Sequence, residues 1–145
     1  MWRRSDVLIT TKLFWGGSGF NEKGLSRKHL VEGVNKSLER LQLDYVDLLY
    51  CHRPDSLTPT ETIVRTMTDL VRQNKTMAWG TSEWSAQQIT EAFWIAQMQG
   101  LEPPQVEQPQ YHMFERERVE KEFYPPYNRP YSLGLTTWSP LAGDA

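Results

Sequence analysis

Val46-Asp47-Leu48-Leu49-Tyr50-Cys51-His52 is an apolar run that ends on a histidine and opens into Arg53-Pro54-Asp55. Val7-Leu8-Ile9-Thr10-Thr11-Lys12 has the same form and ends on a lysine. Short runs of this kind, alternating with helical patterns, indicate βα units and a parallel sheet. Polar side chains at the carboxyl ends of parallel strands point into the mouth of a barrel or crevice, where α/β proteins do chemistry. The pair therefore decides the fold class and marks where to look for a site.

Working outward, the predicted strands are 7–11, 45–51, 77–81, 106–108 and 135–138. A glycine-rich loop, Gly16-Gly17-Ser18-Gly19, follows the first. It lacks the spacing of a dinucleotide or phosphate fingerprint and reads as a flexible connection. Ser26 is an N-cap candidate for a helix burying Leu30, Val34, Leu38 and Leu41. Thr58-Pro59-Thr60-Glu61 predicts a second start, with Thr58 as cap, Pro59 at the first position and Glu61 closing a capping box. Ile63, Met67, Leu70 and Val71 form that helix's inner face. Ser85-Ala86-Gln87-Gln88 is another capping box, ahead of Ile89, Ala92, Phe93 and Ala96, and Gly100 is a natural stop. Val119 and Phe123 suggest a short helix, which the prolines of 124–130 should break. Five strands read this way suit either five units of a (β/α)8 barrel or an open doubly wound sheet, and periodicity does not separate the two. No linker divides the chain, so 1–145 reads as one domain.

The net charge of −2 gives no electrostatic case for nucleic acid. A single cysteine, Cys51, excludes an internal disulfide and suits a reducing compartment. No apolar run reaches the roughly 18 residues of a membrane span. A cytoplasmic protein without membrane insertion is expected.

Strand ends supply a recurring polar set: Lys12, His52, Ser82, Gln108, and Trp138 with Ser139. Each alone has a structural explanation, as a solvated terminus, a turn cap or a core aromatic. Their common position at one end of successive strands favours a site. No metal is expected, because Cys51 and His52, as neighbours in a strand, point to opposite faces. His29 and His112 have no visible partner, and Glu115-Arg116-Glu117-Arg118 reads as a solvated helical face.

Longer stretches carry a resemblance. Ile9-Thr10-Thr11-Lys12, Gly24-Leu25-Ser26-Arg27-Lys28-His29 and 37–47 resemble the aldo-keto reductase family. His52-Arg53-Pro54-Asp55, Trp79-Gly80-Thr81-Ser82-Glu83-Trp84-Ser85, Val106-Glu107-Gln108-Pro109 and 137–142 resemble the branch that contains voltage-gated potassium channel β subunits and their plant, fungal and bacterial reductase relatives. The likeness covers nearly the whole chain and weakens over 124–129 and after Gly143.

The resemblance implies a (β/α)8 barrel that transfers hydride from NADPH to an aldehyde or ketone, with an Asp, a Tyr, a Lys and a His as its catalytic group. Lys12 then matches the lysine and His52 the histidine. A lysine cation favours the ionised form of a proton-donating tyrosine, and a histidine stabilises charge on the carbonyl oxygen. Animal channel subunits commonly carry asparagine at the histidine position, so His52 points towards the reductases. Ser82 and Gln108 match residues that hold the nicotinamide carboxamide, and Trp138 the aromatic that stacks on the ring. Ser139, Leu141 and Ala142 match the start of the pyrophosphate loop. Glu83 stands where animal channel subunits carry arginine, so no cofactor contact is assigned to it.

The resemblance puts the family's Asp and Tyr before the Lys12 strand, ahead of Met1, and the 2′-phosphate segment beyond Ala145. The domain therefore reads as truncated at both ends, with weak NADPH binding and impaired turnover expected of this chain alone. The alternatives are a non-catalytic channel β-subunit-like regulator, with a channel or a second copy as partner, and a gene fragment without independent function.

Overall fold

A computed structural model describes residues 3–143. Five strands, β1 (Thr10–Leu13), β2 (Val46–Cys51), β3 (Thr76–Thr81), β4 (Val106–Glu107) and β5 (Gly134–Leu135), form one sheet in that order, and every neighbouring pair is parallel. Between them run α1 (Arg27–Leu41), α2 (Thr60–Arg72), α3 (Ala86–Gln99) and the short α4 (Tyr124–Tyr127), which follows a π-helical turn at Arg118–Glu122. A doubly wound sheet reverses its strand order at a switch point. Here the order never reverses, and right-handed crossovers then put every helix on the same face. The arrangement fits a segment of a (β/α) barrel, with α1, α2, α3 and α4 packed in sequence around it.

The core lies between sheet and helices. Leu13, Leu49, Cys51 and Trp79 project into it from the strands, and Leu30, Val34, Ile63, Met67, Ile89 and Ala92 from the helices. Ser26 caps α1 by accepting the His29 N–H, and Ser85 and Gln88 close the capping box of α3. Gly100 ends α3 in the left-handed conformation, at φ 62°.

Several boundaries differ from the sequence reading, each for a local reason. β1 lies about three residues further on, so Lys12 is inside the strand. The Ile9 N–H is taken by the Asp47 carboxylate at 2.7 Å, and regular pairing starts only at Thr10 opposite Leu48. Thr58 does not cap α2: its hydroxyl donates to Asp55 Oδ2 at 2.8 Å, Pro59 becomes the N-cap residue, and Glu61 pairs with Arg65 instead of closing a box. β4 ends at Glu107 and β5 at Leu135, because Pro109 has no N–H to continue the ladder. Pairing resumes as a single bridge between Gln110 and Trp138. Pro125 and Pro126 do not break the chain into loop. They occupy the first turn of α4, where the backbone N–H groups have no helical partner to lose.

Candidate active site

Side chains alternate along each strand. Lys12 sits opposite Tyr50, and Tyr50 opposite Gly80, on the face away from the helices. A Cβ at Gly80 would collide with the Cγ1 and the carbonyl oxygen of Val106, so glycine lets β4 close on β3 at this point. A chain of hydrogen bonds crosses the same face. Lys12 Nζ donates to Gln108 Oε1, Gln108 Nε2 donates to Thr136 Oγ1 at 3.1 Å, and Thr136 Oγ1 lies 2.8 Å from the Tyr50 hydroxyl. The lysine thus leans on a neutral amide.

His52 follows β2 directly, and its N–H donates to the Leu13 carbonyl at 3.0 Å. Its ring meets Trp15 edge-on, with centroids 6.5 Å apart. Arg53 turns back beside it, donating to the His52 carbonyl at 2.6 Å and reaching 3.5 Å from Ser82 Oγ. Partial burial, then the Arg53 charge, hold Lys12 below its ordinary pKa. Burial, Arg53 and Lys12 hold His52 below 6.5. These surroundings favour the neutral imidazole, which can serve as a hydrogen-bond donor. Two cations and a neutral ring at one mouth suit stabilisation of a developing oxyanion.

Ser82 is buried, with its N–H on the Cys51 carbonyl at 3.0 Å and its hydroxyl on the Gln108 carbonyl at 2.8 Å. Lys12, Ser82 and Gln108 are thus brought together. Trp138 lies on the loop after β5, its N–H on the Pro109 carbonyl at 3.1 Å, and its indole Nε1–H on Glu83 Oε1 at 2.8 Å. Ser139, Leu141 and Ala142 form the next turn, closed by Ala142 N–H on the Ser139 carbonyl at 2.9 Å. Ser139 and Ala142 take φ of 49° and 53°, left-handed values that non-glycine residues seldom adopt, and Leu141 is exposed.

Three residues escaped the sequence reading. Thr136 links Gln108 to Tyr50, but sits in a stretch read only as a strand. Glu83 holds Trp138, Gln110 and Arg118, contacts that span up to 55 positions and leave no local pattern. Glu107 is fully buried on the helix side of β4, with Thr81 Oγ1 donating to its Oε2 and its Oε1 unpaired. Burial pushes its carboxyl up to about 7, against the bond from Thr81 and the nearby Glu83 backbone. Strand alternation alone signals that Glu107 and Gln108 face opposite ways. Two expectations are corrected. His29 Nδ1 lies 3.0 Å from the Asn21 carbonyl, and His112 is bonded to Gln110 and to the Phe114 N–H, so both have partners. Arg118 is not part of a solvated face, since it turns inward onto Glu83.

A model of the aldo/keto reductase family matches residues 1–145. A protein of Oryza sativa subsp. japonica named "Probable voltage-gated potassium channel subunit beta" is 61% identical over 141 residues, 97% of this chain and 43% of that protein. One of the same name from Arabidopsis thaliana is 60% identical over the same shares. The chain therefore spans less than half the length of these curated relatives.

Proposed function

The chain belongs to the aldo/keto reductase family, and on that premise we propose that it is part of an NADPH-dependent reductase of aldehyde or ketone carbonyls. The observation that carries this reading is the bond from Lys12 Nζ to Gln108 Oε1. It joins the lysine that such chemistry needs to an amide suited to a nicotinamide carboxamide.

The residues fit the cofactor by their chemistry. Gln108 offers both an acceptor and a donor at the half-buried mouth, beside the Ser82 hydroxyl. Trp138 offers an aromatic face whose N–H is already satisfied. The exposed turn of Ser139, Leu141 and Ala142, left-handed at Ser139 and Ala142, stands where the resemblance puts the start of the pyrophosphate loop. NADPH, when bound, supplies the hydride. The neutral His52 ring then donates a hydrogen bond to the carbonyl oxygen, and Lys12 and Arg53 stabilise the charge that grows there. Lys12 also favours ionisation of the proton donor, which this reading assigns to the tyrosine that the family resemblance puts ahead of Lys12. The substrate is a small carbonyl compound and the site of action the cytoplasm. Among the described residues no helix is long and apolar enough to cross a membrane.

The test is carbonyl-dependent oxidation of NADPH by the full-length protein over a panel of aldehydes and ketones. Turnover that Lys12→Met abolishes supports the reading. Saturable NADPH binding with no turnover of any carbonyl refutes it. The names of the two plant relatives favour a second reading, a channel-associated regulatory subunit. Copurification of a potassium channel with a protein that does not turn over carbonyls would select it.

A further inference from the structure

Glu83 has no part in the chemistry above, yet both its carboxylate oxygens are engaged. Oε1 accepts the Trp138 indole N–H at 2.8 Å and the Gln110 N–H at 2.7 Å, while Oε2 takes the Arg118 guanidinium. We propose that Glu83, locked by Arg118, is a positioning residue: it fixes the plane of the Trp138 indole and so sets how tightly the protein holds the nicotinamide end of its cofactor. The inference rests on the reading of Trp138 as the stacking platform.

Geometry supports this in three ways. An indole has one N–H, and that bond vector lies in the ring plane, so an acceptor at a fixed point, together with a fixed point of attachment on the backbone, restricts the plane. The backbone on the other side is also fixed, by the Trp138 N–H on Pro109 and the bridge to Gln110. Glu83 itself adopts φ 60°, a conformation that costs an L-residue and persists where surrounding contacts impose it. Its side chain is 18% exposed, so the charge-assisted bonds are little screened by water. Gln110 sits at the bridge that carries Trp138, so one carboxylate holds both the ring and the strand segment beneath it. Arg118 prevents the carboxylate from swinging towards solvent. A purely structural role, closing the loop after β3, would need only the Gln110 bond.

A double-mutant cycle separates these roles. Wild type, Glu83→Ala, Trp138→Phe and the double variant of the full-length protein are titrated with NADPH, by energy transfer from tryptophan to nicotinamide and by calorimetry. The same proteins are titrated with 2′,5′-ADP, which has the adenosine end but no nicotinamide. Phenylalanine keeps a stacking ring and removes the N–H. Glu83→Ala is expected to weaken NADPH about tenfold, the loss of one charge-assisted bond, and to leave 2′,5′-ADP within about twofold. In the Trp138→Phe background its effect should shrink to less than about twofold. Should Glu83→Ala fail to fold, Glu83→Gln keeps one acceptor of nearly the same shape. It should weaken NADPH about threefold with the same indifference to 2′,5′-ADP. Equal losses for both ligands, or an undiminished effect without the indole N–H, overturn the proposal. Tight NADPH binding that neither Glu83 variant alters also overturns it and leaves the cofactor reading standing. No saturable NADPH binding by wild type overturns both.

Discussion

Substitution of Glu107 by glutamine should change the pH dependence of stability in a direction that its surroundings dictate. The carboxyl is fully buried, one oxygen is unpaired, and burial raises it from 4.5 to about 7. The folded state therefore holds the proton more tightly than the unfolded chain. Below pH 4.5 both states are protonated and the group contributes no penalty. As pH rises through that value, the unfolded chain releases its proton first and stability falls, by at most about 1.4 kcal/mol per pH unit. Above pH 7 both states are ionised, and the penalty levels off at about 3 kcal/mol, the free-energy equivalent of the raised pKa. Glu107→Gln has the same shape, keeps an acceptor for the Thr81 hydroxyl and carries no charge at any of these values. Urea denaturation, followed through the buried Trp79 and Trp84, is the assay, run on both proteins between pH 5 and pH 8. The variant's advantage should be small at pH 5 and reach about 3 kcal/mol at pH 8. Taking the difference cancels the titration of every other group. A difference that is the same at pH 5 and pH 8 would refute the assignment of a raised carboxyl at this position.

Other substitutions test the remaining steps. Lys12→Met should cut carbonyl turnover by about 10²–10⁴ while NADPH still binds, as read by steady-state rates beside equilibrium titration. Gly80→Ala forces a methyl group against the Val106 carbonyl, and should lower stability by about 1–3 kcal/mol in denaturant melts. Ser85→Ala removes the acceptor for the Gln88 N–H at the start of α3, and should lower stability by about 1 kcal/mol, measured the same way.

What the sequence made legible follows from how local each signal is. β2 and β3 were found to within a residue, because each is an apolar run bounded by turn residues and pairs along most of its length. β1 was displaced because a side chain 38 positions away, Asp47, takes the Ile9 N–H. The caps at Ser26 and Ser85 act over three residues and were readable. Thr58 was lost to a competing acceptor, Asp55, which also ties down the Leu25 N–H at 2.7 Å. In the site, the residues at strand ends were legible because the fold brings such ends together whatever the loops do. The partners that orient them were not. Thr136 reaches Tyr50 across 86 positions, and Arg118 reaches Glu83 across 35. Only the assembled sheet and the turn before α4 create those contacts.

Three strand ends repeat one design, and it explains how so short a strand as β4 holds the central amide of the site. Cys51-His52, Thr81-Ser82 and Glu107-Gln108 are neighbouring pairs in which the first residue is buried and the second turns to the mouth. The first members are cross-strand neighbours, Cys51 with Thr81 and Thr81 with Glu107. β3 and β4 are then stitched on both faces. The Thr81 hydroxyl donates to Glu107 on the helix side, and the Ser82 hydroxyl donates to the Gln108 carbonyl at the mouth, 2.8 Å away. The Gln108 N–H adds a bond to the Thr81 carbonyl at 2.8 Å. With only Val106 and Glu107 in regular pairing, these links fix the backbone from which the Gln108 side chain reaches Lys12. An apolar residue at 107 would remove the outer stitch and leave the Thr81 hydroxyl unpaired in the core, at a cost of about 1–3 kcal/mol. The buried acid whose raised carboxyl should make stability depend on pH is thus the same group that holds the strand carrying Gln108 in register. Stability and site geometry meet at that one side chain.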